Sequence, residues 1–372
     1  MLRFFLPARA GRRLPAPGSF VTKLARHFRC QRWALLLLPA VALVIRWPAT
    51  EFAWQHMDES VFFTLPLEFW SGDLNPGFFN YPALQFYLTS LVYLLYFALF
   101  SSESTNQFLA YHYFIEAGPL IAVARGLTTV MAAGTTIAVM KLGSRLYGAA
   151  GGIGAGAAIA VMPLHVRFSH LATSDAPAAL WTTLAVLFSV RLGQSKADRD
   201  ALLAGAFAGL AAGTKYPAAL CVVPVATAVL LGGGPQRWGR LVLSAGSCLL
   251  CFALATPYVI LDFQGFWHDF HTMGQEHIFD YIHVHRGSTW SYHLSLTLRH
   301  GLGLLPMFVC AVALAWKPRS WRPEEIVVGS AVLAFGSLLV FPSSVFVRYA
   351  LPLAPLLAIL MIRPLAATRR HP

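Results

Sequence analysis

Long apolar runs alternate with short polar breaks along the chain, and the breaks hold most of the charge. A helix crossing a bilayer needs about 20 apolar residues. Ten runs approach that length: 33–52, 119–142, 149–164, 176–192, 201–213, 217–231, 241–260, 301–316, 326–341 and 349–362. The pattern predicts an all-α polytopic membrane protein. Two of the runs are separated by Lys215-Tyr216-Pro217, where the proline breaks the apolar pair. The stretch from Gly151 to Gly156 holds four glycines and suits close helix packing. It is no phosphate loop, because no Lys-Ser/Thr follows it.

An eleventh run, 80–100, is long enough to span, and charge decides against it. If it stays at the outer surface, 21 of the 28 Lys and Arg residues fall in inner loops or tails. Seven stay outside: Arg46, Arg125, Arg167, Lys215, Arg286, Arg299 and Arg348. If it spans, every later loop changes side and the bias mostly disappears. The positive-inside rule therefore favours ten spans, both termini cytoplasmic, and outer-face interfacial helices. The same topology leaves only Asp198, Asp200, Glu324 and Glu325 of the 16 acids inside, and it puts 11 of the 13 histidines outside.

Composition agrees. Apolar residues make up 57% of the 372 and charged residues 12%, with a mean hydropathy of +0.59. No soluble domain is expected. The net charge of +12 invites a nucleic-acid reading, but the basic residues sit in short loops, which is a topology signal. The expected organisation is a basic cytoplasmic tail at 1–32, a transmembrane domain at 33–363 and a cytoplasmic tail at 364–372. Within the domain, large outer loops fall at 53–118 and 262–298. The first run reads as a retained helix rather than a cleaved leader, since no small-x-small cleavage site is evident. Cys248 and Cys251 form a C-x-x-C inside an apolar run and read as packed small residues.

Ionisable residues at a membrane boundary are costly, which marks them as candidates. Asp58 and Glu59 follow the first run and open an aromatic-rich segment that suits an amphipathic surface helix. Two roles are open to the acid here: a helix cap, or a general base for an acceptor hydroxyl. Asp175, ahead of Pro177, has the look of an N-cap with proline just inside the helix. Arg167 and His170, just upstream, either line a cavity or sit among headgroups. Lys215 and Arg348 break the charge bias, and either snorkel to lipid or hold the phosphate of a lipid ligand. Glu276-His277 and His283-x-His285-Arg286 lie in the second loop. The i, i+2 histidines lack the helical spacing of a zinc protease.

Five segments occur in a telling order: Met57-Asp-Glu-Ser60, Phe79-Asn-Tyr-Pro-Ala-Leu84, Leu164 to Pro177, Gly209 to Pro217, and Arg348-Tyr-Ala-Leu-Pro352. Over roughly 33–363 the chain resembles the glycosyltransferase family 39-like membrane proteins, the protein O-mannosyltransferases and the lipid A aminoarabinose transferase among them. The resemblance implies the GT-C fold. It implies transfer of a sugar from a polyprenyl-phosphate donor to an acceptor hydroxyl at the outer, periplasmic face of the plasma membrane, with the anomeric carbon inverted. In that scheme Asp58, with its neighbour Glu59, is catalytic, and Lys215, Arg348, Tyr81 and Arg286 meet the donor phosphate. Arg167, His170, Tyr216 and Glu276 line the cavity. Asp175 and His277 are the positions that help hold a divalent metal in some members. Tyr81-Pro-Ala-Leu84 departs from the Lys-Pro-Pro-Leu of many bacterial members, which removes a phosphate-contacting lysine and leaves Asn80 for an acid. No nucleotide cofactor and no nucleic-acid partner is expected. The partners are membrane lipids, the lipid-linked donor and a glycan, lipid or protein acceptor. A transporter of lipid-linked sugars and an inactive scaffold of the same fold are the competing classes.

Overall fold

In the computed structural model, residues 33–47, 56–274, 288–315, 320–341 and 345–368 are described. Among them the regular structure is helical throughout. The helices are α1 (Trp33–Arg46), α2 (Glu59–Glu68), α3 (Leu84–Phe100), α4 (Thr105–Phe114), α5 (Gly118–Val161), α6 (Pro163–Ser169), α7 (Asp175–Ser195), α8 (Asp198–Ala212), α9 (Val222–Gly232), α10 (Arg237–Ala255), α11 (Phe263–Gly274), α12 (Leu304–Ala315), α13 (Pro323–Ser337) and α14 (Leu353–Leu360). Shorter helical turns join them.

Among the described residues three helices are long and apolar enough to cross a membrane: α5, α7 and α10. Two bent pairs reach that length together. One is α3 with α4, at 115°, and the other is Thr289–Leu302 with α12, at 112°. The remaining runs form shorter helices because glycine and proline interrupt them. In α5 the break is Gly148, whose φ of 77° and ψ of 177° leave the helical region. The chain folds back there. A Cβ at Gly152 would lie 1.9 Å from Ser144 Oγ and 2.4 Å from the Met140 carbonyl, and one at Gly156 would lie 2.2 Å from Met140 Cγ. Residues 12 to 16 apart meet only across a hairpin, since a straight helix would separate them by about 18–24 Å. The runs 119–142 and 149–164 are thus the two arms of one glycine-packed hairpin.

A second glycine ridge, Gly205-x-x-x-Gly209-x-x-x-Gly213, lets α10 close onto α8. Cβ atoms at Gly205 and Gly209 would lie 2.0 and 2.2 Å from the backbone carbonyls of Ser244 and Cys248. Backbone cannot yield as a side chain can, so only glycine permits this approach. Cys248 and Cys251 are free, half-buried thiols on the packed helix, as small packing residues should be. The other faces of α10, with Val242, Leu249, Leu250 and Leu254 exposed, suit lipid.

Charge separates into two groups at opposite ends of the helices. At one end Arg145 donates to Gln194 at 2.7 Å, Arg191 pairs with Asp200 at 3.0 Å, and Arg322 caps the Leu146 carbonyl at 2.7 Å. These belong to the loops expected inside. The ends carrying Arg46, Asp58, Arg125, Asp175, Lys215 and Arg348 gather at the other.

Candidate active site

Four links assemble that second end. Arg46 is fully buried and donates to the carbonyls of Ala160 at 2.7 Å and Ile159 at 3.0 Å, capping the end of α5. It also donates to the Ala42 carbonyl at 3.2 Å and lies 3.0 Å from His165 Nδ1. Arg125, two turns into α5, donates through Nε and Nη2 to both carboxylate oxygens of Glu59, each at 2.8 Å. Glu59 Oε1 also accepts from Ala172 N at 2.9 Å, tying α2 to the turn before α7. Leu84 N donates to the Gly213 carbonyl at 3.1 Å, which fixes the start of α3 to the end of α8. Phe79 N donates to Asp269 at 2.9 Å and Asn75 to Asp262 at 2.9 Å, strapping the first outer loop to α11. Tyr216 adds a bond from its hydroxyl to the Phe79 carbonyl, at 2.9 Å.

The site proper is two acid–cation pairs. Asp58 Oδ2 accepts from Arg348 Nη1 and, at 2.8 Å, from the Tyr81 hydroxyl. Asp175 pairs with Lys215 Nζ. All are largely buried, with Asp175 at 4% and Lys215 at 11% side-chain exposure. The pairs adjoin: Lys215 lies 5.7 Å from the ring centre of Tyr349, the residue after Arg348. Burial raises the Tyr81 phenol above its ordinary value, against a lowering pull from Arg348, so it stays a donor. Burial alone would lower Arg348. The charges of Asp175, Tyr81 and Asp58 outweigh it and raise the guanidinium.

Several expectations change. Asp58 occupies the N-cap position of α2 but makes no side-chain cap bond, because its carboxylate turns to Arg348 and Tyr81. Asp175 is the first helical residue rather than the cap, which is Ser174, and it too makes no cap bond. The segment after Asp58 is no surface helix: Phe62, Phe63, Leu65 and Leu67 are all buried against protein. Glu59 is wholly buried, and its carboxylate is held in the Arg125 pair. Arg167 is exposed, beside the Phe168 ring. His170 is half-buried, and burial lowers its pKa. Arg46 and Arg125, counted as outer-loop cations, are buried structural groups. Glu276, His277 and Arg286 lie outside the described residues.

Of the two positions expected to help hold a metal, only Asp175 is among the described residues. Its carboxylate faces an ammonium, and among the described residues no group of three His, Cys, Asp or Glu side chains gathers. Two residues here, Arg125 and His56, had been assigned no part in the site. Arg125 had no local signal. His56 had one, standing two residues before Asp58.

Residues 110–261 match the family model described as dolichyl-phosphate-mannose-protein mannosyltransferase. That match covers less than half of the chain, and the fold is GT-C. It superposes on ArnT from Cupriavidus metallidurans bound to undecaprenyl phosphate with a TM-score of 0.65, at 20% identity, covering 95% of this chain and 61% of that one. The oligosaccharyltransferase AglB from Archaeoglobus fulgidus, in complex with an inhibitory peptide and a dolichol-phosphate, gives 0.58 at 12% identity over 91% and 51%. This GT-C chain thus spans about three fifths of the length of ArnT. No curated protein matches it in sequence.

Proposed function

We propose that the protein moves a sugar from a polyprenyl-phosphate donor to an acceptor hydroxyl, at the membrane face where Asp58, Tyr81, Arg348, Asp175 and Lys215 converge. That convergence carries the reading: five residues, from segments as far as 290 positions apart, form one buried cluster of two acids, two cations and a phenol. The positive-inside bias supports placing this face on the periplasmic side, with both termini cytoplasmic. The fold shared with proteins that bind undecaprenyl phosphate or dolichol-phosphate supports the donor class.

Each acid holds a cation in place while the site waits, which keeps the desolvated charges paired. A donor phosphate competes for those cations. Arg348 and Lys215 move their hydrogen bonds to its oxygens, and Asp58 is left with Tyr81 and a free acceptor lone pair. Asp58 then takes the proton of the acceptor hydroxyl as its oxygen attacks the anomeric carbon. The bond from that carbon to the phosphate oxygen breaks on the opposite side. The electron pair leaves on the phosphate, where fixed cations in a low-dielectric site stabilise the growing charge. A single displacement inverts the anomeric centre. Glu59 stays in its Arg125 pair and orients the turn that carries Asp58.

The test is binding of undecaprenyl phosphate to the purified chain in nanodiscs. Saturable binding that weakens in Lys215→Ala and Arg348→Ala is expected. Binding that neither substitution alters would overturn the assignment of the phosphate site.

A further inference from the structure

His56 sits beside the Asp58–Arg348 pair of this cluster, facing both members. Its Nδ1 accepts from the Asp58 backbone N–H at 3.2 Å and lies 3.6 Å from Asp58 Oδ2. Its Nε2 lies 3.3 Å from Arg348 Nη1. The ring is therefore locked to the turn that carries the acid while facing the guanidinium that arrives 292 residues later.

Hydrogen-bond chemistry leaves this arrangement one partner short. A neutral imidazole has one donor and one acceptor, and arginine has donors only. With Nδ1 accepting from the backbone, the proton sits on Nε2 and points at the N–H of Arg348. With the other tautomer, Nε2 accepts from Arg348 and the clash moves to the Asp58 N–H. Protonating the ring puts a donor at both ends, so Nδ1–H turns to the Asp58 carboxylate and Nε2–H still meets Arg348. In two of the three states two N–H groups converge on one small space, and an oxygen anion placed there would accept from both.

We propose that His56 is a phosphate ligand, its Nε2–H and the Arg348 Nη1–H together grasping one oxygen of the polyprenyl phosphate. This rests on the donor-phosphate reading above and adds a residue to it. Among the described residues the charged groups facing His56 are Asp58 from its own turn and Arg348 from Val347–Ala350. Tyr81 stands behind Asp58, and the Asp175–Lys215 pair lies beyond. The phosphate favours the doubly protonated ring, which adds a positive charge beside it. A doubly protonated ring donates at Nε2 and adds charge, so wild-type affinity, relative to a variant without the ring, is expected to be greater at pH 6 than at pH 8. A packing role alone would produce no such dependence.

The experiment uses the full chain in nanodiscs with undecaprenyl phosphate as probe, at pH 8 and pH 6. His56→Ala is expected to bind about tenfold or more weakly than wild type at pH 6, as loss of a charged hydrogen bond requires. His56→Gln keeps an amide donor. It is expected within about threefold of wild type at pH 8 and to fall behind at pH 6. The ratio of wild-type to variant affinity cancels the ionisation of the phosphate itself. Wild-type affinity in His56→Ala at both pH values overturns the proposal. If that variant does not fold, a His56→Gln ratio that is the same at both pH values does so. Arg348→Ala and Lys215→Ala separate the two levels. If they weaken binding and the His56 variants do not, the role of His56 fails alone. If they too leave binding unchanged, the phosphate site itself fails.

Discussion

Glu59→Gln removes one charge from a pair that water does not reach. Glu59 is 0% and Arg125 1% exposed, and they share two hydrogen bonds of 2.8 Å. The amide keeps the volume and one acceptor oxygen. It also turns an NH₂ toward a guanidinium that can only donate, and leaves the Arg125 charge unneutralised. Breaking a buried pair by removing one partner costs roughly 3–5 kcal/mol, most of it the burial of the orphaned charge. Oε1 must also keep its bond to Ala172 N, at 2.9 Å, which fixes how the amide can turn and rules out a flip that would spare both. Removing both charges, as in Glu59→Met with Arg125→Met, takes away the orphan and leaves the Ala172 N–H unsatisfied, at about 1–3 kcal/mol. The double variant should thus be more stable than Glu59→Gln alone. Unfolding of the purified chain in detergent, followed by tryptophan fluorescence, measures both. A Glu59→Gln protein within about 1 kcal/mol of wild type would refute the buried-pair argument. If that stable variant were also inactive, Glu59 would take part in the chemistry beside Asp58.

Lys215→Ala and Arg348→Ala should each weaken undecaprenyl phosphate binding by roughly 1.5–3 kcal/mol, measured by titration in nanodiscs, with Arg348→Lys a partial rescue because the planar fork is lost. Gly209→Leu should destabilise the fold by at least about 1–3 kcal/mol, because the new side chain meets the Cys248 carbonyl and cannot be accommodated by a rotamer change; thermal unfolding checks it. Reporter fusions after Phe100 and after Gly148 should read outside and inside. A cytoplasmic signal after Phe100 would make α3 a span and reverse the placement of the site.

Much of the site was legible before any coordinates because membrane physics makes charge conspicuous. Asp58, Asp175, Lys215 and Arg348 stood out as charges at the ends of apolar runs, and the structure brings these four together. What could not be read was their pairing. Lys215 and Arg348 looked like free cations waiting for lipid, and each already holds an acid. Arg125 looked like one more outer-face cation, because its partner Glu59 lies 66 residues away and long-range pairs leave no local pattern. The hairpin at Gly148 was half visible. Hydropathy marked its two arms, and the glycines marked close packing, but only the backbone shows that the arms pack on each other. The Gly205–Gly213 ridge had a clear three-step spacing that went unused. Asp58 holds the N-cap position without a cap bond, and Asp175 stands one residue inside its helix, because a carboxylate offered a buried cation turns from the helix end to bond it.

The central claim is that Asp58 is the base of a sugar transfer from lipid phosphate. Mass profiling of glycolipids, glycans and polyprenyl-phosphate sugars tests it most directly, in cells lacking the protein and complemented with wild type or Asp58→Asn. Asparagine keeps the shape and can still accept from Tyr81, but it cannot take a proton. The account predicts that Asp58→Asn protein reaches the membrane at wild-type levels, that the glycosylated product falls by ~10²-fold or more, and that the lipid-linked donor accumulates as it does in the deletion. Restoration of the product to wild-type levels by Asp58→Asn would contradict it.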